Sequence, residues 1–139
     1  MLQKVSFDGL CVRLCTQEIE WSNYNEIANQ VKGKKISLPD VKDESQKHLV
    51  LYHGTNIVAA ARLQIKVPNA FLEFAQAKKE NDPDSVKCLL QFVEKWLSQQ
   101  DVKFITTSID DVDLALYSEL DYKVLGSDSE TSDLIKYLG

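Results

Sequence analysis

The sequence predicts an α/β fold in which helices cover both faces of one mixed sheet. Strand-like apolar runs alternate with segments whose apolar residues recur at helical spacing, so both element types are present. Three of the runs follow one another through short turns, which predicts an antiparallel meander. Strands and helices then alternate, and a meander followed by such an alternation favours a mixed sheet. The predicted order is β-α-β-β-β-α-β-α-β-β.

Length and composition indicate a single globular domain over residues 1–139. A chain of 139 residues can bury a core, and 44% hydrophobic with 27% charged residues is ordinary for a globular protein. No apolar run approaches the ~20 residues that cross a bilayer, and the first residues lack the apolar core of a secretory signal. We therefore expect a cytoplasmic protein with no membrane partner.

Charge and cysteine spacing argue against two other kinds of site. The net charge is −5 and the basic residues are scattered, whereas nucleic-acid binders carry a basic stripe. We therefore expect no nucleic-acid partner. The three cysteines and two histidines contain no CxxC pair, so we also expect no metal site.

A strand and a helix open the chain. Residues 9–15 are rich in strand formers and predict the first strand. Thr16 can cap a helix over residues 17–31, because its hydroxyl can accept a hydrogen bond from a free N–H of the first turn. The apolar residues of that segment recur at helical spacing. The polar segment 32–47 is then expected to cross to the next strand.

The meander follows this crossover. Residues 48–54 predict a strand that ends in a His-Gly-Thr-Asn turn, and residues 57–67 and 70–77 predict the next two strands. Pro68 and Asn69, which separate the last two, are typical turn residues. Tight turns join antiparallel neighbours, so we expect the three strands to pair in sequence order.

The second half of the chain begins with its clearest helix. One apolar face of this helix contains Val86, Leu89, Leu90, Val93 and Leu97. Asp82 followed by Pro83 is typical of a helix start, because Asp accepts from free N–H groups and Pro has none to satisfy. The remaining predicted elements are a strand, a helix and two strands, at residues 102–109, 111–120, 122–126 and 133–139.

Three segments carry a resemblance to a known family. Residues 38–65 contain a crossover with Pro and Asp, an HLV strand and a strand ending in ARL. Residues 89–109 form a helix followed by a strand, and residues 114–122 resemble an A-x-x-(F/L)-Y-x-x-x-G-(F/Y) motif with Tyr117 and Tyr122 in register. In this order they resemble a bacterial branch of the GNAT superfamily of N-acetyltransferases. The resemblance covers almost the whole chain and implies a GNAT-like acyl-CoA N-acyltransferase fold.

The resemblance also implies a reaction, the transfer of an acetyl group from acetyl-CoA to the amine of a small molecule or peptide. Tyr117 matches the family tyrosine that acts as general acid for the departing thiolate. The main chain of Ala75, Gln76 and Ala77 would pair with the pantetheine arm of acetyl-CoA. The candidates for the base that takes the amine proton are Glu73, His48 and His53. The resemblance does not fix the oligomeric state, and a homodimer is one of the alternatives.

The loop before the central helix departs from the family pattern. In the family, an R/Q-x-x-G-x-G/A loop offers bare N–H groups and the positive end of the helix to the cofactor pyrophosphate. Residues 81–86 read NDPDSV here, so Asn81 takes the arginine position and Asp84 and Val86 take the glycine positions. Like charges ~4 Å apart near a surface cost roughly 4 kcal/mol before screening. The neighbouring cations that could offset this cost are Lys78, Lys79 and Lys87.

Two functional hypotheses follow from the resemblance and this departure. The first is an acetyl-CoA-dependent N-acetyltransferase with a divergent loop. The second is a catalytically inactive GNAT-fold module for binding or assembly, because a lost site leaves a scaffold intact. A further family glycine is replaced by Asp121. Since Asp tolerates a left-handed backbone, we expect the turn at that position to persist.

Overall fold

The computed structural model describes residues 9–32, 35–128 and 130–139. Within them, every predicted segment overlaps an observed element, and the predicted order is confirmed. A single 3-10 turn, Asp111–Asp113, precedes the third helix. The elements are β1 (Leu10–Leu14), α1 (Glu18–Ala28), β2 (Gln46–His53), β3 (Asn56–Lys66), β4 (Asn69–Ala77), α2 (Pro83–Ser98), β5 (Phe104–Asp110), α3 (Leu114–Glu119), β6 (Lys123–Ser127) and β7 (Thr131–Tyr137).

The seven strands form one sheet with the spatial order β1-β2-β3-β4-β5-β7-β6. Strands β1 to β4 pair antiparallel in sequence order, which confirms the predicted meander. Strand β5 runs parallel to β4, whereas β7 pairs antiparallel with both β5 and β6. One parallel step in an otherwise antiparallel sheet makes the sheet mixed, as predicted.

Helices cover both faces of the sheet, as predicted. On one face, α2 packs against the strands through a buried stripe, Leu89, Leu90, Val93 and Leu97. Burying one leucine side chain stabilises the folded protein by about 2 kcal/mol. This stripe therefore contributes most of the free energy that holds α2 against the sheet. On the other face, Tyr24 and Ile27 of α1 pack against Val50, Ala60 and Phe74. Within the described residues, no helix is both long and apolar enough to span a membrane.

The start of α1 differs from the prediction, because Thr16 is not its cap. The helix begins at Glu18, and Gln17 is the N-cap residue. The buried carboxylate of Glu20 accepts hydrogen bonds from the backbone N–H groups of Thr16 (3.0 Å) and Gln17 (3.1 Å), and from the hydroxyl of Tyr52 (2.8 Å). The Thr16 hydroxyl donates to the same carboxylate at 3.3 Å, so it is a partner of Glu20 instead of an acceptor for the first turn.

A buried arginine joins α1 to the meander. Arg62, on β3, is 0% exposed. Its Nε donates to the Tyr24 hydroxyl (2.7 Å), its Nη2 donates to the carbonyl of Ser37 (2.9 Å), and its Nη1 lies 3.3 Å from a carboxylate oxygen of Glu73. The guanidinium also lies over the rings of Tyr24 and Phe74, 5.7 and 5.8 Å from their centroids. These partners replace the water that the charge loses on burial.

His48 is buried next to this arginine. It is 7% exposed, pairs with Arg62 across β2 and β3, and its ring lies 5.1 Å from that of Trp21 and 5.4 Å from that of Tyr24. Burial, and then the charge of Arg62, lowers the pKa of His48 from 6.5 to about 4. The imidazole is therefore neutral in the folded protein at neutral pH.

This lowered pKa predicts that acid weakens the fold between pH 6.5 and 4. In that window the unfolded chain binds a proton at His48 and the folded chain does not, so the free energy of unfolding falls as the pH falls. The total loss expected from this group is about 3 kcal/mol. Urea denaturation at half-unit pH intervals measures it, and His48→Gln should flatten the profile. Parallel profiles for the two proteins would contradict the prediction.

Candidate functional site

Strands β4 and β5 pair only over the first part of their length. The register runs from Asn69 opposite Phe104 to Leu72 opposite Thr107. At the last step, the Thr107 hydroxyl donates to the carbonyl of Leu72 at 2.7 Å. Both strands continue further, to Ala77 in β4 and to Asp110 in β5, so their carboxyl ends diverge.

A cleft of about 600 Å³ opens where the two strands diverge. One wall comes from the end of β4 and the residues after it, and it contains Phe74, Ala75, Gln76, Lys78, Glu80 and Asn81. Ala77, the third predicted contact of the pantetheine arm, is buried and lies outside this lining. The opposite wall is the end of β5 with the residues that lead into α3, and Tyr117 lies in it. The segment after α1, residues 30–32, borders the same space. The structure therefore brings Ala75, Gln76 and Tyr117 together, although they are far apart in the sequence.

The backbone of β4 turns polar groups toward this cleft. The Lys78 N–H donates to the Val58 carbonyl at 2.8 Å, so these two residues form a hydrogen-bonded pair across β3 and β4. Such pairs alternate along an antiparallel ladder, which makes Gln76 the next residue bonded to β3. The N–H and C=O groups of Ala75 and Ala77 therefore point away from β3. An extended ligand amide could pair with them as a further strand would.

Tyr117 is 3% exposed and lies in the wall of the cleft. Burial raises its pKa, and the carboxylates of Asp113 and Glu94 raise it further. The phenol therefore keeps its proton at neutral pH and can donate a hydrogen bond into the cleft. Its ring packs edge-on against that of Tyr122, 5.2 Å between centroids.

A second group of residues supports this tyrosine pair, and the sequence analysis missed it. The hydroxyl of Tyr122 donates to one carboxylate oxygen of Glu94 at 2.9 Å, and Lys136 donates to the other at 2.7 Å. Lys136 also lies 5.6 Å from the centroid of the Tyr122 ring. These residues come from α2 and β7, and no local pattern of the sequence connects them to Tyr117.

The turn after α3 persists with aspartate in the family's glycine position. Asp121 has φ 70°, in the left-handed region, as expected. Its N–H donates to the Ser118 carbonyl at 3.1 Å, and the N–H of Tyr122 donates to the Tyr117 carbonyl at 3.1 Å. The turn thereby brings the ring of Tyr122 back against that of Tyr117.

The N-terminus of α2 is capped by the protein itself, as the Asp-Pro pair predicts. One oxygen of the Asp82 carboxylate accepts from the N–H of Ser85 at 3.3 Å, and the other accepts from the Ser85 hydroxyl at 2.6 Å. Pro83, the first helical residue, has no N–H to offer. Asp84 is exposed in the first turn. The end of this helix therefore presents carboxylates rather than free donors.

Two of the three lysines near this helix start are engaged elsewhere. Lys87 forms an ion pair with Glu119 of α3. Lys78 donates to the side-chain oxygen of Asn23 at 2.6 Å and lies 3.7 Å from a carboxylate oxygen of Glu26. Their charges are therefore partly balanced by carboxylates and offset those of Asp82 and Asp84 less than the sequence suggests.

The three candidate bases lie outside the described lining of the cleft. Glu73 is the extra residue of a bulge in β4, and its carboxylate is the counter-ion of Arg62. His48 is buried among aromatic rings, and His53 is exposed where β2 ends. The carboxylates that do line the cleft were not singled out from the sequence, and they are Glu80, Asp110 and Asp113.

Comparison with known proteins shows which fold this is. The sequence matches no protein-family model and no curated protein. Solved structures do match, among them the ribosomal-protein-S18-alanine N-acetyltransferase from Escherichia coli, with TM-score 0.75, 11% identity and 94% of each chain covered. An N-acetyltransferase from Staphylococcus aureus Mu50 gives TM-score 0.72 and 16% identity, over 93% of this chain and 97% of that one. The dodecameric spermidine N-acetyltransferase from Vibrio cholerae gives TM-score 0.74 and 11% identity, over 94% of each chain.

At these identities the matches establish the architecture. The chain has the GNAT acyltransferase fold, with its seven-stranded mixed sheet and three helices, and the expected fold class is confirmed. The structural neighbours are N-acetyltransferases. A shared fold leaves open which chemistry a site performs, so function is argued from the cleft itself.

Proposed function

We propose that the protein transfers an acetyl group from a pantetheine thioester, of which acetyl-CoA is the common form, to the amine of a small molecule or peptide. The observation that carries this proposal is the cleft between the diverging ends of β4 and β5, with the buried Tyr117 in its wall. The GNAT fold and its N-acetyltransferase neighbours support it.

The residues of the cleft have distinct roles in this proposal. The main-chain groups of Ala75 and Ala77 that point away from β3 pair with the amides of the pantetheine arm, and the Gln76 side chain, which donates to the Ala77 carbonyl at 3.5 Å, gives way there. The neutral amine nitrogen forms a new bond to the thioester carbon, the C–S bond breaks, and the nitrogen loses a further proton, which replaces through water the proton that Tyr117 gives up. Tyr117 donates its proton to the departing sulfur, since burial keeps the phenol protonated until that step.

The acceptor is a cationic amine in this proposal. The carboxylates of Glu80, Asp110 and Asp113 border the cleft, and negative charge in a concave site raises the local concentration of a cation. The amine must lose its proton before it attacks. The described structure places no imidazole in the cleft lining, so the proton passes to a lining carboxylate or directly to water.

A second candidate function, an inactive binding or assembly module, is favoured by one observation. The N-terminus of α2 carries Asp82 as its own cap and Asp84 beside it, and such a helix end has little capacity for a bound anion. If the acyl donor must bind at that helix end, the protein keeps the GNAT fold but does not catalyse the transfer.

Thioester binding and thiol release distinguish the two candidates. Isothermal titration with acetyl-CoA and with S-acetyl-pantetheine measures binding, and a thiol-reactive dye measures turnover with a mixture of primary amines. Micromolar to low-millimolar binding with amine-dependent thiol release supports the transferase. Absence of heat with both thioesters at millimolar concentration would overturn it and favour the module.

A further inference from the structure

We propose that the cleft recognises only the pantetheine half of its donor. The donor class is then an acyl thioester recognised through its pantetheine arm alone, and a nucleotide diphosphate at the far end of that arm adds nothing favourable to binding or rate. This inference rests on the proposed function and specifies the substrate of the same site.

The direction of the donor follows from two fixed points. In the proposed function its thioester lies at Tyr117, and its arm lies along the end of β4, where Ala75 and Gln76 line the cleft. Continued in the same direction, the arm leaves the cleft along the residues from Lys78 to Asn81, which form the wall there. Helix α2 begins two residues later, at Pro83. A diphosphate at the far end of the arm would therefore meet the start of α2.

The start of α2 has few donors left for a diphosphate. An anion binds at a helix N-terminus through free backbone N–H groups. Here Pro83 contributes none, and the N–H of Ser85 is already donated to Asp82. The hydroxyl of Ser85 is donated to the same carboxylate. The protein has supplied its own anion at this position.

The charges at this place have the wrong sign for a diphosphate. The carboxylates of Asp82 and Asp84 lie in the first turn of α2 or directly before it, and Glu80 lies in the wall of the cleft. Of the nearby lysines, Lys87 and Lys78 are paired with carboxylates, and the exposed Lys79 is a single charge beside Glu80. A diphosphate bound here would be repelled, whereas the pantetheine arm is uncharged and needs only main-chain partners.

The donor requirement is measured by comparing thioesters that differ only in the distal group. We expect kcat/KM for acetyl-CoA to be equal to or lower than that for the uncharged S-acetyl-pantetheine, because the start of α2 repels the diphosphate and gives it no binding energy. A preference of about tenfold or more for acetyl-CoA would overturn the inference while leaving the proposed transferase intact. An acetylated phosphopantetheinyl carrier protein forms the third arm. A rate above that of the free thioesters assigns the donor to a carrier, and a lower rate assigns it to a free thioester.

Removing one carboxylate at the start of α2 provides an independent test. Asp84→Asn should raise kcat/KM for acetyl-CoA about fivefold and leave that for S-acetyl-pantetheine unchanged, since only acetyl-CoA carries phosphate charge to that point. Asp101→Asn is the matched control: it makes the same change of charge beyond the other end of α2, and Asn tolerates its left-handed backbone, φ 62°. The control should change neither value. An equal gain with both donors, or in both variants, would overturn the inference.

Titration calorimetry gives a readout that does not depend on turnover. Coenzyme A should bind no more tightly than pantetheine, which carries no phosphate. If neither binds at millimolar concentration, the inference and the proposed function both fail. If only coenzyme A binds, the inference alone fails.

Discussion

Replacing Tyr117 by phenylalanine is expected to lower kcat for amine acetylation about 100-fold or more, the usual contribution of a positioned acid. The variant loses only the hydroxyl of Tyr117, the proposed proton donor. The ring still fills its place against Tyr122, and the free energy of unfolding should change by less than about 1 kcal/mol. Steady-state kinetics with saturating thioester measures the first effect, and urea denaturation measures the second.

Tyr122→Phe is the matched control for this variant. It removes the same atoms from the neighbouring ring, and the hydroxyl that it removes donates to Glu94 rather than into the cleft. Glu94 keeps its bond to Lys136, so the loss of kcat should stay below about tenfold. If both variants lose activity equally, Tyr117 packs the site instead of serving as its acid. A full loss of activity in Tyr117→Phe with normal donor binding is the result that the acid role requires.

Replacing Arg62 by leucine is expected to lower the free energy of unfolding by about 3–5 kcal/mol. The groups that bind the guanidinium would stay buried after the substitution but would lose the charge that they bind. The Glu73 carboxylate loses its counter-ion, and the Tyr24 hydroxyl and the Ser37 carbonyl lose their donors. A loss of this size approaches the total stability of many small domains, so the variant is best compared with the parent in a stabilising osmolyte. Denaturation in urea measures the difference.

Lys78→Leu is the matched control for the arginine. It also removes a cation from an ion pair, but the side chains of Lys78 and Glu26 are 40% and 58% exposed. Exposed pairs contribute roughly 0–1 kcal/mol, so this variant should be nearly as stable as the parent. Arg62→Lys keeps the charge but loses the planar fork that reaches three partners, and its stability should fall between the two. If Arg62→Leu and Lys78→Leu lower the free energy of unfolding equally, the buried arginine stabilises the fold no more than the exposed lysine, and the prediction is wrong.

The split of β4 and β5 depends on information that neither strand carries by itself. Residues 70–77 and 102–109 predict strands because their apolar residues suit a sheet, and both strands form. That they pair as far as Leu72 and Thr107 and then separate depends on the twist of the whole sheet and on the helices that hold its two halves. From the sequence, a shared site for Ala75, Gln76 and Tyr117 was therefore only an implication of the family resemblance.

Local signals determined what the sequence by itself could predict about this protein. Apolar periodicity placed all ten strands and helices in order, the Asp82-Pro83 pair predicted the start of α2, and Asp121 predicted a left-handed turn. These depend on neighbours within one or two turns of chain, where spacing and backbone preference act directly.

Tertiary structure alone decided which charged groups are engaged and which face the cleft. Glu73 became the counter-ion of Arg62 instead of a free base, Lys87 paired with Glu119, and Lys136 came to support Tyr122 through a carboxylate of α2. Such pairs join residues from separate elements, and the interaction between two charges depends on their distance and burial rather than on their separation in sequence. The order of the elements was therefore readable from the chain, while the electrostatics of the site required the fold.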